Sequence, residues 1–198
     1  MNRKEKAAET EAALKAAAKR VFAERGYLNT KITDITAEAG RAAGSFYNHF
    51  AGKEELLAAL LADMSAESDV VASESGHLSD FTDPAAIRWH IAVYLRFQRE
   101  NAVTLLALRQ AALVSESFAG TLAEFGSTEL ADLLGHVAHL TAAGFQLPAS
   151  PEASLWLLHA LVDGFVQMRP PAPYELSDEE AVEILTRFVY RGLTGQDY

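Results

Sequence analysis

Apolar residues return at intervals of three and four along most of this 198-residue chain, the spacing that lines one face of an α-helix. Leu14, Ala18, Val21 and Phe22 mark a first helix over about residues 8–25, with Gly26 as its left-handed C-terminal cap. Thr30, as N-cap, precedes Ile32, Ile35 and Ala39 in a short second helix that Gly40 closes. A third follows through Tyr47 and Phe50, and Gly52 caps a fourth that opens on "KEELLAALLADM". The polar stretch "SAESDVVASESGHLSD" then reads as a mobile loop. Asp83 before Pro84 starts a fifth helix that runs to about Glu100. Residues 102–115 and 117–143 form two more, Gly126 being the place where the second would break. Ser150 and Pro151 open a penultimate helix that is apolar on nearly all sides, and Ser177 with Glu180 forms a capping box for the last. Five of the six prolines fall between 148 and 173, bracketing that penultimate helix. With no alternating strand pattern and no internal repeat, the fold class is all-α with about nine helices.

Composition narrows the function classes. The absence of cysteine excludes disulfides, thiolate metal sites and a cysteine nucleophile. No apolar run is long enough to cross a bilayer, and "MNRKEK" is followed by no apolar signal region, so the expected location is cytoplasmic. The formal charge of −10 argues against nucleic acid until its distribution is considered. Residues 1–58 hold ten basic against eight acidic side chains, net +2, and the remainder holds seven against 19, net −12. Such asymmetry directs the N-terminal part toward a polyanion while the rest repels it.

Two short helices joined by a glycine-containing turn form the arrangement that lays a recognition helix in the DNA major groove. In that arrangement Tyr47, His49 and Lys53 are suitable phosphate donors, and Ser45 and Asn48 are suitable base readers. The stretches "TKITDITAEAG" and "GSFYNHFAGKEELLAAL", within residues 10–60, resemble the N-terminal DNA-binding domain of the TetR family of transcriptional repressors. The shared positions include Thr30, Asp34, Ile35, Ala39, Gly40, Gly44, Ser45, Phe46, Tyr47, His49, Phe50 and Lys53. The resemblance implies a helix-turn-helix domain over residues 1–52 and a ligand-binding and dimerisation domain over 53–198. It further implies a homodimer that binds a palindromic operator on double-stranded DNA and releases it when a small-molecule effector binds. Tyr47, His49 and Lys53 then contact phosphate, Thr30 and Thr33 approach the backbone near helix two, and Ser45 and Asn48 face the groove. Ile35, Phe46 and Phe50 belong to the domain's own core. Two positions depart from the family pattern. Arg41 replaces a small apolar residue and offers a bidentate donor for guanine or a phosphate contact, and Ala42 replaces the serine N-cap of helix three.

The rest of the chain is less specific. Trp89, Tyr94, Phe97, Phe118, Phe125, Trp156 and Phe165 read as core, yet apolar pockets with a few polar groups are also how small ligands are held. His90, Tyr94, Phe97, Arg109, Phe118, Trp156 and His159 are therefore the candidate lining for an apolar or aromatic effector. Leu158, Val162, Phe165, Leu185, Phe188 and Val189, on the last two helices, are the expected dimer interface. Asp132, His136 and His139 share a helical face with metal-ligand spacing, but a solvated polar stripe explains them with less, so no metal and no cofactor is expected. No phosphate loop, nucleophile elbow or zinc-protease motif occurs, which leaves a helical enzyme or a helical adaptor without a DNA role as the alternatives to a repressor.

Overall fold

The computed structural model describes residues 2–72, 76–168 and 175–198. These form ten helices, α1 (Arg3–Asn29), α2 (Ile32–Glu38), α3 (Ala43–Tyr47), α4 (Lys53–Ala72), α5 (Pro84–Glu100), α6 (Ala102–Ala112), α7 (Glu116–Asp132), α8 (Leu134–Ala142), α9 (Pro151–Gln167) and α10 (Asp178–Thr194), and no strand among the described residues. The stretch over 117–143 is two helices, divided at Leu133, a turn residue between α7 and α8, and not at Gly126, which lies inside α7. Helix α4 extends to Ala72, into the stretch that reads as a loop, where Ala, Met, Ser and Glu precede any glycine. Residues 73–75 of that loop, and Pro170, Pro171 and Pro173 of the proline cluster, lie outside the described residues.

Local chemistry sets the helix ends. α1 begins earlier than its apolar period because Asn2 and Glu5 form a reciprocal capping box. It is interrupted at Gly26, whose φ of 72° and ψ of 163° only glycine adopts readily. That kink frees two polar groups. Tyr27 N–H donates to Gln110 Oε1 of α6 at 2.8 Å, and the Gly26 carbonyl accepts from Thr30 Oγ1 at 2.7 Å. Thr30 is therefore committed to the end of α1, and Lys31 is the N-cap of α2, its N–H accepted by Asp34 Oδ2 at 2.9 Å. Ser150 and Ser177 cap α9 and α10 as their sequences dictate.

The chain divides into two compact units, residues 1–72 with 101–123, and residues 73–100 with 124–198. In the first, α1 packs on α2 and α6, and α4 also packs on α6. Leu14, Ala17, Ala18, Ile35, Phe46, Leu56, Leu57 and Ala111 are fully shielded there. In the second, α5 lies against α10, and α9 contacts α5, α8 and α10. Its core contains Phe81, Ile87, Ile91, Val137, Leu140, Leu155, Val162, Leu185 and Val189. No described helix is long and apolar enough to cross a membrane.

Candidate functional site

The turn between α2 and α3 is built by backbone geometry. Gly40 has a φ of 62°, which lets the Arg41 N–H fold back to the Thr36 carbonyl at 2.8 Å. α3 has only five residues, and its N-cap Ala42 makes no side-chain bond, so packing must hold it in place. Phe46 supplies that packing. Its ring is fully buried, 5.6 Å from Phe50 and 5.7 Å from Tyr47 between centroids. With its inner face anchored, α3 leaves Tyr47 61% exposed and Asn48 exposed at its end. Ser45 is half-buried and Thr33 exposed.

The remaining expected contacts are tied into the protein. Arg41 is half-buried, pairs with Glu9 of α1 at 3.4 Å and leaves its Nε without a partner. His49 packs beside Phe50 with its Nδ1 3.9 Å from Glu11. Thr30 is buried, its hydroxyl spent on Gly26. Lys53 Nζ donates to the Tyr27 carbonyl at 2.9 Å and the Thr30 carbonyl at 2.6 Å, and sits 4.2 Å over the Tyr27 ring. Burial pulls its pKa below the ordinary lysine value. The first residue of α4 thus clamps the kinked C-terminal end of α1, using two of an ammonium's three donors. Lys53→Met takes the ammonium from the Thr30 carbonyl and leaves the Tyr27 carbonyl only the Thr30 N–H at 3.2 Å, and is expected to lower stability by about 1–3 kcal/mol. A denaturant midpoint unchanged from wild type would show that the clamp contributes nothing.

In the second unit, the Tyr94 hydroxyl donates to Asp163 Oδ1 at 2.9 Å and accepts from Gln98 Nε2 at 2.7 Å, while His159 meets the Tyr94 ring edge-on at 5.7 Å. Within this unit the expected ligand lining falls into more than one group. Tyr94 and His159 are together, but His90 belongs to a separate aromatic cluster with Phe81, Trp89, His77 and His136. Phe97 is half-buried, Trp156 is 60% exposed, and Arg109 and Phe118 lie in the first unit, where Phe118 is core. Gln98 and His77 were not singled out by sequence. Gln98 follows Tyr94 by one helical turn, a legible signal, whereas His77 lies in a polar loop with no period.

Three expected interface residues are core instead. α10 turns Val182, Leu185, Val189 and Leu193 inward, and Val162 is buried with them, because each helix must cover its own unit before it can offer a face to a partner. Leu158 and Phe165 pack half-buried against that core. Phe188 is 66% exposed, and with it Trp156, Leu157 and Ile184 present large apolar side chains outward. The break at Leu133 also undoes the shared face of Asp132, His136 and His139: His136 is buried, and the other two are exposed.

This α2-turn-α3 unit, with α1 behind it and polar side chains on its outer edge, defines a helix-turn-helix protein. Residues 14–60 match the family model described as bacterial regulatory proteins, tetR family. Over 81 residues the chain is 41% identical to the HTH-type transcriptional regulator TtgR of Pseudomonas putida, a match spanning 41% of this chain and 38% of TtgR. Over 68 residues it is 41% identical to the HTH-type transcriptional repressor DhaR of a Mycobacterium species, spanning 34% of this chain and 33% of DhaR. The chain thus spans under two fifths of the length of the curated relatives it matches. The likeness in fold is wider. A solved bacterial regulatory protein of the tetR family from Rhodococcus superposes with a TM-score of 0.72 at 20% identity, covering 93% of this chain and 97% of that one. A TetR transcription regulator from Haloarcula marismortui does so with a TM-score of 0.70 at 21% identity, covering 96% and 100%. Residues 14–60 thus match the tetR family of bacterial regulatory proteins, and the chain as a whole shares the fold of these solved structures.

Proposed function

We propose that this protein is a ligand-responsive transcriptional repressor that binds a palindromic operator as a homodimer and releases it on binding a small apolar or aromatic effector. The carrying observation is the exposure of Tyr47 and Asn48 on a recognition helix whose inner face is locked by Phe46 and Phe50. The relatives' names, an HTH-type regulator and an HTH-type repressor, support the same reading. Tyr47, His49 and the third donor of Lys53 serve as phosphate contacts, with Thr33 and the Thr30 backbone nearby. Ser45 and Asn48 read bases, joined by Arg41 once it leaves Glu9. Trp156, Leu157, Ile184 and Phe188 are the faces offered to a second copy, and Tyr94, Asp163 and His159 are the polar groups available to an effector.

The test is a mobility shift with the DNA upstream of the protein's own gene, followed by selection from random DNA. Tyr47→Phe and His49→Ala are expected to weaken binding almost equally across sequences, because phosphate contacts position without specifying. Asn48→Ala or Arg41→Ala is expected to change the preferred bases by about 1–3 kcal/mol at one position. Identical selected sequences from both groups refute the division, and no shift with any DNA refutes the function. Effector and operator must also weaken each other by the same factor, typically about 1–3 kcal/mol. Calorimetric titration of an effector into free and operator-bound protein reads that factor, and equal affinities would refute release by the effector.

A further inference from the structure

Three histidines far apart in sequence converge in the second unit. One ring nitrogen from each of His77, His90 and His136 lies within 4.8 Å of the others, and the Nε2 atoms of His77 and His136 are 2.9 Å apart. His77 comes from the loop before α5, His90 from α5 and His136 from α8. Their chemistry is that of metal ligands. His90 Nδ1 lies 2.9 Å from the Ala86 carbonyl, an acceptor only, so Nδ1 carries the proton and the Nε2 lone pair is left for the cluster. This is the backbone hydrogen bond that ordinarily orients a metal-bound imidazole. Burial, together with the neighbouring imidazoles, holds His90 down to about 4, and burial likewise lowers His136, so both rings are neutral at pH 7. His136 is 91% buried, with its Nε2 turned toward His77. Phe81 and Trp89 pack around the three rings at centroid distances of 4.8–5.3 Å, excluding water from two sides of the group.

We propose that His77, His90 and His136 form a binding site for a first-row transition-metal dication of the zinc type, with the fourth position left to water or a donor atom of a small ligand. Neutral imidazole nitrogens suit zinc, nickel and copper and do not suit magnesium or calcium. Zinc–nitrogen bonds of about 2.0–2.1 Å place tetrahedral ligand atoms roughly 3.3 Å apart. Around such an ion the 2.9 Å pair opens slightly and the wider separations close. The site is independent of the DNA-binding reading, since none of its residues belongs to the helix-turn-helix.

Chelator-treated full-length protein without a polyhistidine tag, titrated calorimetrically with zinc chloride at pH 7.5, is expected to bind one ion per chain. His77→Ala and His90→Gln should each weaken binding at least about 100-fold, whereas His139→Ala and His159→Ala should not. Cobalt(II) should give the intense visible absorption of a tetrahedral site with wild type and lose it with His77→Ala. His77 is a half-buried loop residue, so circular dichroism of His77→Ala should stay native and keep the comparison valid if His90→Gln fails to fold. Absence of zinc binding by wild type, equal affinity in His77→Ala, equal binding of magnesium, or a loss in His139→Ala as large as in His77→Ala would each overturn the site.

Discussion

Phe188→Glu is expected to convert the proposed homodimer to a monomer and to abolish operator binding with it. Phe188 is 66% exposed on α10, one turn after Ile184 at 48%, while α9 exposes Trp156 at 60% and Leu157 at 52%. Four large apolar side chains left uncovered on the last two helices are what an isologous interface would bury. An aromatic anchor at the centre of such an interface is worth about 2 kcal/mol or more, and two-fold symmetry repeats each substitution. The variant should therefore lose about 4 kcal/mol of association, a dissociation constant raised roughly 1,000-fold. Operator affinity falls with it, because two recognition helices must meet major-groove faces about 34 Å apart. Sedimentation of wild type and variant at micromolar concentration checks this. A variant that stays dimeric places the interface elsewhere, and a monomeric wild type refutes the dimer. Leu185→Ala and Val189→Ala, by contrast, should reduce the stability of each subunit, since both side chains are interior.

Acidification is the second large effect expected. His90 is held neutral by burial, its pKa lowered from 6.5 to about 4, with His77 and His136 facing it and Phe81 and Trp89 packed on its ring. The unfolded chain takes up a proton below about 6.5 that the folded chain refuses until about 4, so this contribution is full above 6.5 and is lost as pH falls through that window. His136 is shifted downward as well, also by burial first, and adds in the same direction. From pH 7.5 to pH 5, His90 alone should remove about 2 kcal/mol of stability. Urea midpoints measured with chelator present, for wild type and His90→Gln, isolate the effect. The wild type should lose more stability than the variant over this range, and parallel losses would show that His90 is not responsible. Asp80 and Glu180, whose carboxyls are held below their ordinary values by hydrogen bonds from Thr82 and Ser177, are common to both proteins.

What the sequence determined by itself is local. The caps at Ser150 and Ser177, the proline starts of α5 and α9, the Gly40 turn and the burial of Ile35, Phe46 and Phe50 all follow from side chains within one or two turns of each other, or from a period a window can hold. The helix-turn-helix was legible for the same reason, since about fifty consecutive residues carry it. Only tertiary structure decided matters where two competing partners lie far apart in the chain. Thr30 was equally suited to capping α2, but the kink at Gly26 offers it a nearer carbonyl, and Lys53 then closes the end of α1 from 23 residues away. On α9 nearly every face is apolar, so periodicity could not say that Val162 turns inward while Trp156 turns out, whereas on α10 the helical spacing of Val182, Leu185, Val189 and Leu193 marks an inward face that the charged residues beside it leave to them. His136 was drawn by spacing toward Asp132 and His139, and was claimed instead by His77, 59 residues away, because a buried imidazole takes whatever ring the packing of α5 and α8 brings beside it.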